Sequence, residues 1–223
     1  MTAASPAQRH RTPPLGRTGT FVRGRVRQLQ KSYLADHASA VAALAQLRRG
    51  AGKRLQDVPE VWGLTCDETF IPEGTLLEDG PSPQERAVHI ALTLYALHQQ
   101  SRSEPMHQEG HGLGAAVRQL VSGPDVDDPM RVRLVQVGSA HHIDALAVRL
   151  RELVSRLRTD GVPLDYGLLA DQLVRAQRPG GMAEVRQVWG RGFHAHRAKA
   201  YSGEDDDGAE PGPPGDAPPP TDA

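Results

Sequence analysis

Apolar residues recur along this chain mostly at three- and four-residue steps, the spacing of helices that bury one face. Tyr33, His37, Val41, Leu44 and Leu47 form the first such row and predict a helix from about Ser32 to Arg49, ended by Gly50 and Gly52. Residues 51–81 carry Pro59, Pro72 and Pro81 and predict irregular chain, with Val58, Val61, Trp62 and Leu64 as its apolar anchor. Ser82, Pro83 and Glu85 then spell a capping box with proline at the first helical position. The helix they start is apolar over a wide arc, through Val88, Ile90, Ala91, Leu92, Leu94, Tyr95 and Leu97, as a central core helix should be.

A polar loop at 99–110 leads to a short helix marked by Leu113, Ala116, Val117 and Leu120. Asp127 and Asp128 before Pro129 are a second cap-plus-proline start. The following Met130–Val137 run alternates partly like a strand, but its flanks favour a helix. From His142 to Arg158 the period is clean, through Leu146, Leu150, Leu153 and Leu157, and Asp160-Gly161 ends it. A helix near Asp165 (Leu168, Leu169, Leu173) and a last one (Met182, Val185, Trp189, Phe193) complete the row.

The fold class is therefore all-α, with two small helical lobes at residues 32–124 and 125–200. Residues 1–31, rich in Pro, Gly, Thr and Arg, bury too little apolar surface to fold alone and read as a disordered basic arm. From Tyr201 the chain is Pro, Gly and Asp and reads as a disordered acidic tail, residues 201–223. Aromatics are only 4% of the chain, so the core must be mostly Leu, Val and Ala, which suits helix packing.

Charge changes this picture. The formal net charge is -1. Yet Glu204, Asp205, Asp206, Asp207, Glu210, Asp216 and Asp222 all lie beyond the last base, Lys199. Residues 1–201 thus hold 26 bases against 20 acids, a net of +6. Such asymmetry points to a polyanionic partner, with an acidic tail attached. Only three of the bases are lysine; arginine favours bidentate phosphate contacts and stacking on bases, although a GC-rich genome also writes Arg for Lys.

Candidate chemistry is sparse. Cys66 is the single cysteine, so no internal disulfide can form and a reducing cytoplasm is expected, with the thiol buried. No apolar run approaches the roughly 18 residues of a membrane span, and the N-terminus has no secretory h-region. Gly110-His111-Gly112-Leu113-Gly114 resembles a phosphate loop, but no strand precedes it and no Lys follows. His107, Glu109 and His111, the His141–His142 pair, and His194 with His196 are scattered without a matching Cys or Asp cluster. Asp125, Asp127 and Asp128 are better explained as a helix cap than as a two-metal nuclease site. No cofactor, metal or catalytic residue is expected.

The bases carry the better signal. Arg48, Arg49, Lys53 and Arg54 cluster where the first helix ends. Arg131 and Arg133 share a short segment. Arg149, Arg151, Arg156 and Arg158 stud the helix whose Leu150 and Leu153 face inward. Such groups neutralise phosphates and release counterions, or are simply a solvated helix face. Arg48, Arg49, Lys53, Arg54, Arg131, Arg133, Arg149 and Arg151 are the candidate nucleic-acid contacts.

Ordered segments add a family resemblance. Ala45-Gln46-Leu47-Arg48-Arg49-Gly50 and Val58-Pro59-Glu60-Val61-Trp62-Gly63-Leu64 resemble the opening of the CasB family, the small subunit of the type I-E CRISPR surveillance complex, Cascade. The Arg86–Gln99 helix and Gly112–Val117 resemble its middle. Arg133–Ala140 and Leu150-Arg151-Glu152-Leu153-Val154 resemble its third part. Pro163–Leu169 and Val188-Trp189-Gly190-Arg191-Gly192-Phe193 resemble its close. The likeness spans residues 33–195.

It implies a non-catalytic all-α subunit, present in two copies beside other Cascade subunits, lining the path of guide RNA and target DNA and holding the displaced strand. Arg48, Arg49, Arg131, Arg133 and Arg151 fall on basic positions of the family. Some relatives have a base where Ala115 stands, and two adjacent bases at Arg151-Glu152, which puts those surfaces in doubt. Competing readings are a helix-turn-helix-like DNA-binding regulator and a metal-dependent hydrolase using the scattered histidines.

Overall fold

In a computed structural model of the chain, residues 14–70, 80–121 and 128–201 are described, their side chains as far as Ala195. They are helices and turns; among them there is no strand, only a single parallel bridge between His107 and Leu164. The chain is all-α.

The central element is α4 (Pro83–Gln99). The Ser82 side chain accepts from the Glu85 backbone N–H, and the Glu85 carboxylate accepts from the Ser82 N–H, so the capping box forms as its sequence requires. From Ala87 to Gln99 every residue of α4 is buried. Helices α7 (Ile143–Asp160) and α8 (Tyr166–Ala176) pack against it. Leu146, Leu150, Leu153 and Leu157 of α7 all face the core, and Gly161 ends that helix at φ +70, a left-handed cap for which glycine pays no Cβ penalty.

Helix α1 (Arg17–Leu34) corrects the expected disordered arm over much of its length. The first predicted helix is in fact two: α1, then α2 (Ala38–Leu47), broken at Ala35–His37, where Asp36 adopts φ +55. Two partners far along the chain hold α1 in place. The Asp171 carboxylate accepts from the Gly16 and Gly19 N–H groups at 2.7 Å each, a helix cap supplied by α8. Gly19 and Gly167 let the two helices touch, for a Cβ on Gly19 would lie 2.7 Å from the Gly167 carbonyl oxygen. Val22 and Val26 are fully buried, each contributing about 1.5–3 kcal/mol. Phe21 meets Phe70 edge to face at 5.1 Å, and Arg17 lies over the same ring.

Helix α5 (Leu113–Gln119) lies against α9 (Gly181–Tyr201). The last glycine of the apparent phosphate loop serves this packing, whereas a Cβ on Gly112 would meet nothing within 4 Å. A Cβ on Gly114 would lie 1.9 Å from the Trp189 carbonyl oxygen, so only glycine admits the approach. Helix α6 (Pro129–Gly138) is helical as its flanks indicate, and Asp128 caps it by accepting from Met130 and Arg131 N–H. Asp125 and Asp127 lie outside the described residues, as do 1–13 and 202–223 of the expected arm and tail. Tyr201, placed in the tail, is the last residue of α9.

Other expectations also change. Buried side chains on both sides of residue 124 belong to one hydrophobic cluster, because α4 is apolar on enough of its circumference to serve α1 and α2 as well as α7 and α8. The 124/125 boundary does not divide the core. In the 51–70 stretch, short turns and α3 (Trp62–Thr65) bury Val58, Val61 and Phe70, but Trp62 is 45% exposed, its indole N–H donating to the Leu55 carbonyl. Cys66 is exposed rather than buried. Val41, at 40% exposure, leaves only Leu44 and Leu47 of the first predicted row fully inside.

Candidate nucleic-acid interface

The turn Arg48–Gly50 follows α2 directly, and Gly50 sets its height over α4. A Cβ on Gly50 would meet Thr93 Cγ2 at 3.0 Å and His89 Cε1 at 3.1 Å, so the turn rests on the core helix with Arg49 exposed and Arg48 half-buried. His89 is buried, and its Nε2 donates to the Lys53 carbonyl at 3.1 Å. Burial pushes the His89 imidazole below its ordinary pKa, so the ring is a neutral brace.

The next residue contact joins two groups of bases distant in sequence. Gly52, at φ +76, lies under the stem of Arg151 from α7, and a Cβ there would be 2.8 Å from Arg151 Cδ. Lys53 and Arg54, one turn on, border a 280 Å³ cleft whose other wall is the start of α7, including His142 and Asp144. Arg54 is held by Asp57 through Nε at 2.8 Å and a second nitrogen at 3.0 Å, which raises its pKa further. Arg48, Arg49, Lys53 and Arg151 enter no ion pair among the described residues. The structure thus gathers Lys53, Arg54 and Arg151 on one face, with Arg48 and Arg49 on the turn before it.

The remaining candidates lie elsewhere or are already engaged. Arg149 is half-buried, and its guanidinium donates to the Gln136 carbonyl and, at 2.9 Å, to Ser139 Oγ, bracing α7 against the end of α6. Its guanidinium lies at the surface but is engaged with the end of α6. Arg133 is exposed, near Met130 Sδ at 3.5 Å. Arg131 is half-buried and engaged, and borders an apolar groove between α6 and α9. Arg158 donates to Gln100 Oε1 at 2.7 Å, and Arg156 pairs with Asp160 along the helix.

Among the described side chains the histidines do not converge on a metal site. His107 is buried beside the Leu164 carbonyl, and Glu109 turns away to pair with Arg23 and Arg27. Among the described residues no three His, Cys, Asp or Glu side chains gather to hold a metal ion. His98, on α4, has its Nδ1 at 2.8 Å from the Tyr166 hydroxyl, and burial lowers its pKa to about 3. Around it Asp165, fully buried, accepts from Arg23, from Gly110 N–H and from the first turn of α8. This network ties α1, α4 and α8 together. No described helix is long and apolar enough to cross a membrane.

Residues 43–194 match the sequence model of the CRISPR-associated protein Cse2 family. The chain belongs to the Cse2 family. It is similar to CasB from Thermobifida fusca, with 51% identity over 81% of this chain and 99% of that one, and a TM-score of 0.70. It shares its fold with a chain of a CRISPR RNA-guided surveillance complex, at 22% identity over 84% and 99% of the two chains and a TM-score of 0.64. A chain of such a complex in a pre-nicking state aligns at 20% identity over 83% and 99%, with a TM-score of 0.58. No curated protein sequence matches. The Cse2 match begins within α2 and ends at the exposed His194, so all of α1 lies outside it. Sequence reasoning missed α1 and also Arg86, Arg178 and Arg186, which stand singly near helix ends and have no periodic signature.

Proposed function

We propose that this Cse2-family chain is a non-catalytic subunit of an RNA-guided CRISPR complex that grips nucleic-acid backbone. The supporting observation is the contact of Arg151 over Gly52, which merges the bases of the 48–54 turn and of α7 into one patch with several cations in no ion pair. In such a complex base pairing reads sequence, and protein need only stabilise backbones and the displaced strand. Two copies lie beside the other subunits, along the path of guide RNA and target DNA, in the cytoplasm. Arg48, Arg49, Lys53, Arg54 and Arg151 carry the contact, with Arg131 and Arg133 as a second basic stretch. Arg149 supports the fold beneath them.

The test replaces Arg48 and Arg49 with Ala and measures binding to single strands of several sequences across a salt series. Each phosphate contact contributes about -0.7 to the slope of log K against log salt for a single strand. The double change should flatten the slope by roughly 0.7–1.4 and weaken all sequences alike. In a reconstituted complex it should slow opening of the target duplex. Unchanged opening, with the variant subunit verified as bound, refutes the assignment of these two residues. Marked preference for one duplex sequence would favour a regulator, and chelator-sensitive cleavage by the purified protein would favour a hydrolase.

A further inference from the structure

The cleft beside Lys53 and Arg54 does not end there. Its wall residues Arg86, His142 and Ile143 also line a second, larger cleft of 620 Å³. That cleft is walled by the first turn of α4, the turn between α6 and α7, and the turn between α8 and α9. Arg86, Arg178 and Arg186 project to it, together with His141 and His142, and no acidic residue lines it among the described residues. Arg178 is exposed and Arg86 half-buried, and neither enters an ion pair among the described residues. Arg186 is partly committed, donating to the Gly138 carbonyl at 3.2 Å. Like charges converging on an unpaired concave surface repel one another and focus positive potential there, so a polyanion is the ligand that relieves them.

We propose that this Arg86–Arg178–Arg186 cleft is a second phosphate-binding segment that continues the Lys53/Arg54 patch, so that one single-stranded nucleic acid runs from the 53–56 turn past Arg86 to the α8–α9 turn. The inference rests on the backbone-gripping reading above and extends it to residues outside the basic stretches of the sequence. No Phe, Tyr or Trp lines either cleft; the flat groups there are imidazoles such as His141 and His142 and the guanidinium planes, on which any base can stack, while the arginines hold the phosphates. The contact is therefore sequence-tolerant and strongly salt-dependent.

The experiment uses the full chain and a labelled oligo(dT) of about 20 nucleotides, with the matching oligo(rU) as a second arm to separate DNA from RNA as the source of the phosphates. Arg86→Gln with Arg178→Gln removes two phosphate partners. At about 0.7 log units per phosphate over the decade from roughly 0.1 to 1 M salt, affinity should fall about 25-fold at 0.1 M, and the salt slope should flatten by about 1.4. Arg178→Glu, at an exposed turn position, should weaken binding without changing the melting temperature. Arg86→Lys with Arg178→Lys should restore most of the affinity, since it keeps the charge. If the wild type and the Arg48/Arg49 variant behave as the functional reading requires but the Gln pair binds like wild type, the cleft proposal falls and that reading stands. Loss of binding in the Lys pair as well as the Gln pair marks a packing role and also overturns the cleft. Failure of the wild type to bind either strand overturns both.

Discussion

Asp171→Ala isolates what orders α1. In the native chain the Asp171 carboxylate takes the N–H groups of Gly16 and Gly19, both at 2.7 Å, and Gly16 has no side chain with which to cap the helix itself. Losing a capping side chain costs about 0.5–2 kcal/mol, and losing a negative charge at a helix N-terminus about 0.3–1 kcal/mol more. Only the Gly19 bond is partly shielded from water, so the sum should sit near the middle of that range, about 2 kcal/mol. For a domain of this size that lowers the melting temperature by roughly 4–8 °C. Asp171→Asn keeps an acceptor oxygen but loses the charge, and should cost about half as much. The assay is thermal unfolding together with limited trypsin digestion, because Arg17, Arg23, Arg25 and Arg27 all lie on α1. Cleavage there should rise before cleavage elsewhere. A melting temperature within about a degree of wild type, with the digestion pattern unchanged, would refute the account of α1 as a helix capped from α8.

Gly114→Ala should force α5 from α9 and lower stability by about 1–3 kcal/mol or more in urea unfolding, since the added methyl would fall 1.9 Å from a backbone oxygen; an unaffected midpoint would rule out that close approach. His98, with its pKa lowered to about 3, is neutral in the fold down to acid pH, whereas an unfolded histidine protonates near its ordinary value. Its contribution is therefore complete above about pH 6.5 and is lost as pH falls from there toward 3, at about 1.4 kcal/mol per pH unit. His98→Gln should remove that part of the pH dependence between pH 6 and 5, and equal slopes for variant and wild type would contradict it. Deleting residues 202–223, which removes seven acids, should strengthen binding to single strands most at low salt and leave the melting temperature unchanged; a large drop in melting temperature would show that the tail supports the fold.

The sequence by itself determined the helices that carry their own signals. The Ser82 capping box, the Asp128-Pro129 start, the leucine row of α7 and its Gly161 stop are local, and local spacing fixes them because a helix buries residues three and four apart whatever lies opposite. Segment order along the chain also carried the family. Helix α1 had none of these marks: its cap comes from Asp171 and its contact from Gly167, each about 150 residues away, and only tertiary structure brings them to it. The same holds for the basic surface. Clusters such as Arg48–Arg54 are legible as runs of charge, but whether a given arginine faces solvent, braces a helix as Arg149 does, or meets distant bases across a cleft depends on which elements pack beside it. Positive charge was a property of composition, and the cleft it lines was decided by the packing of α4, α7 and the α8–α9 turn, because side chains far apart in sequence share a surface only where the core brings their backbones together.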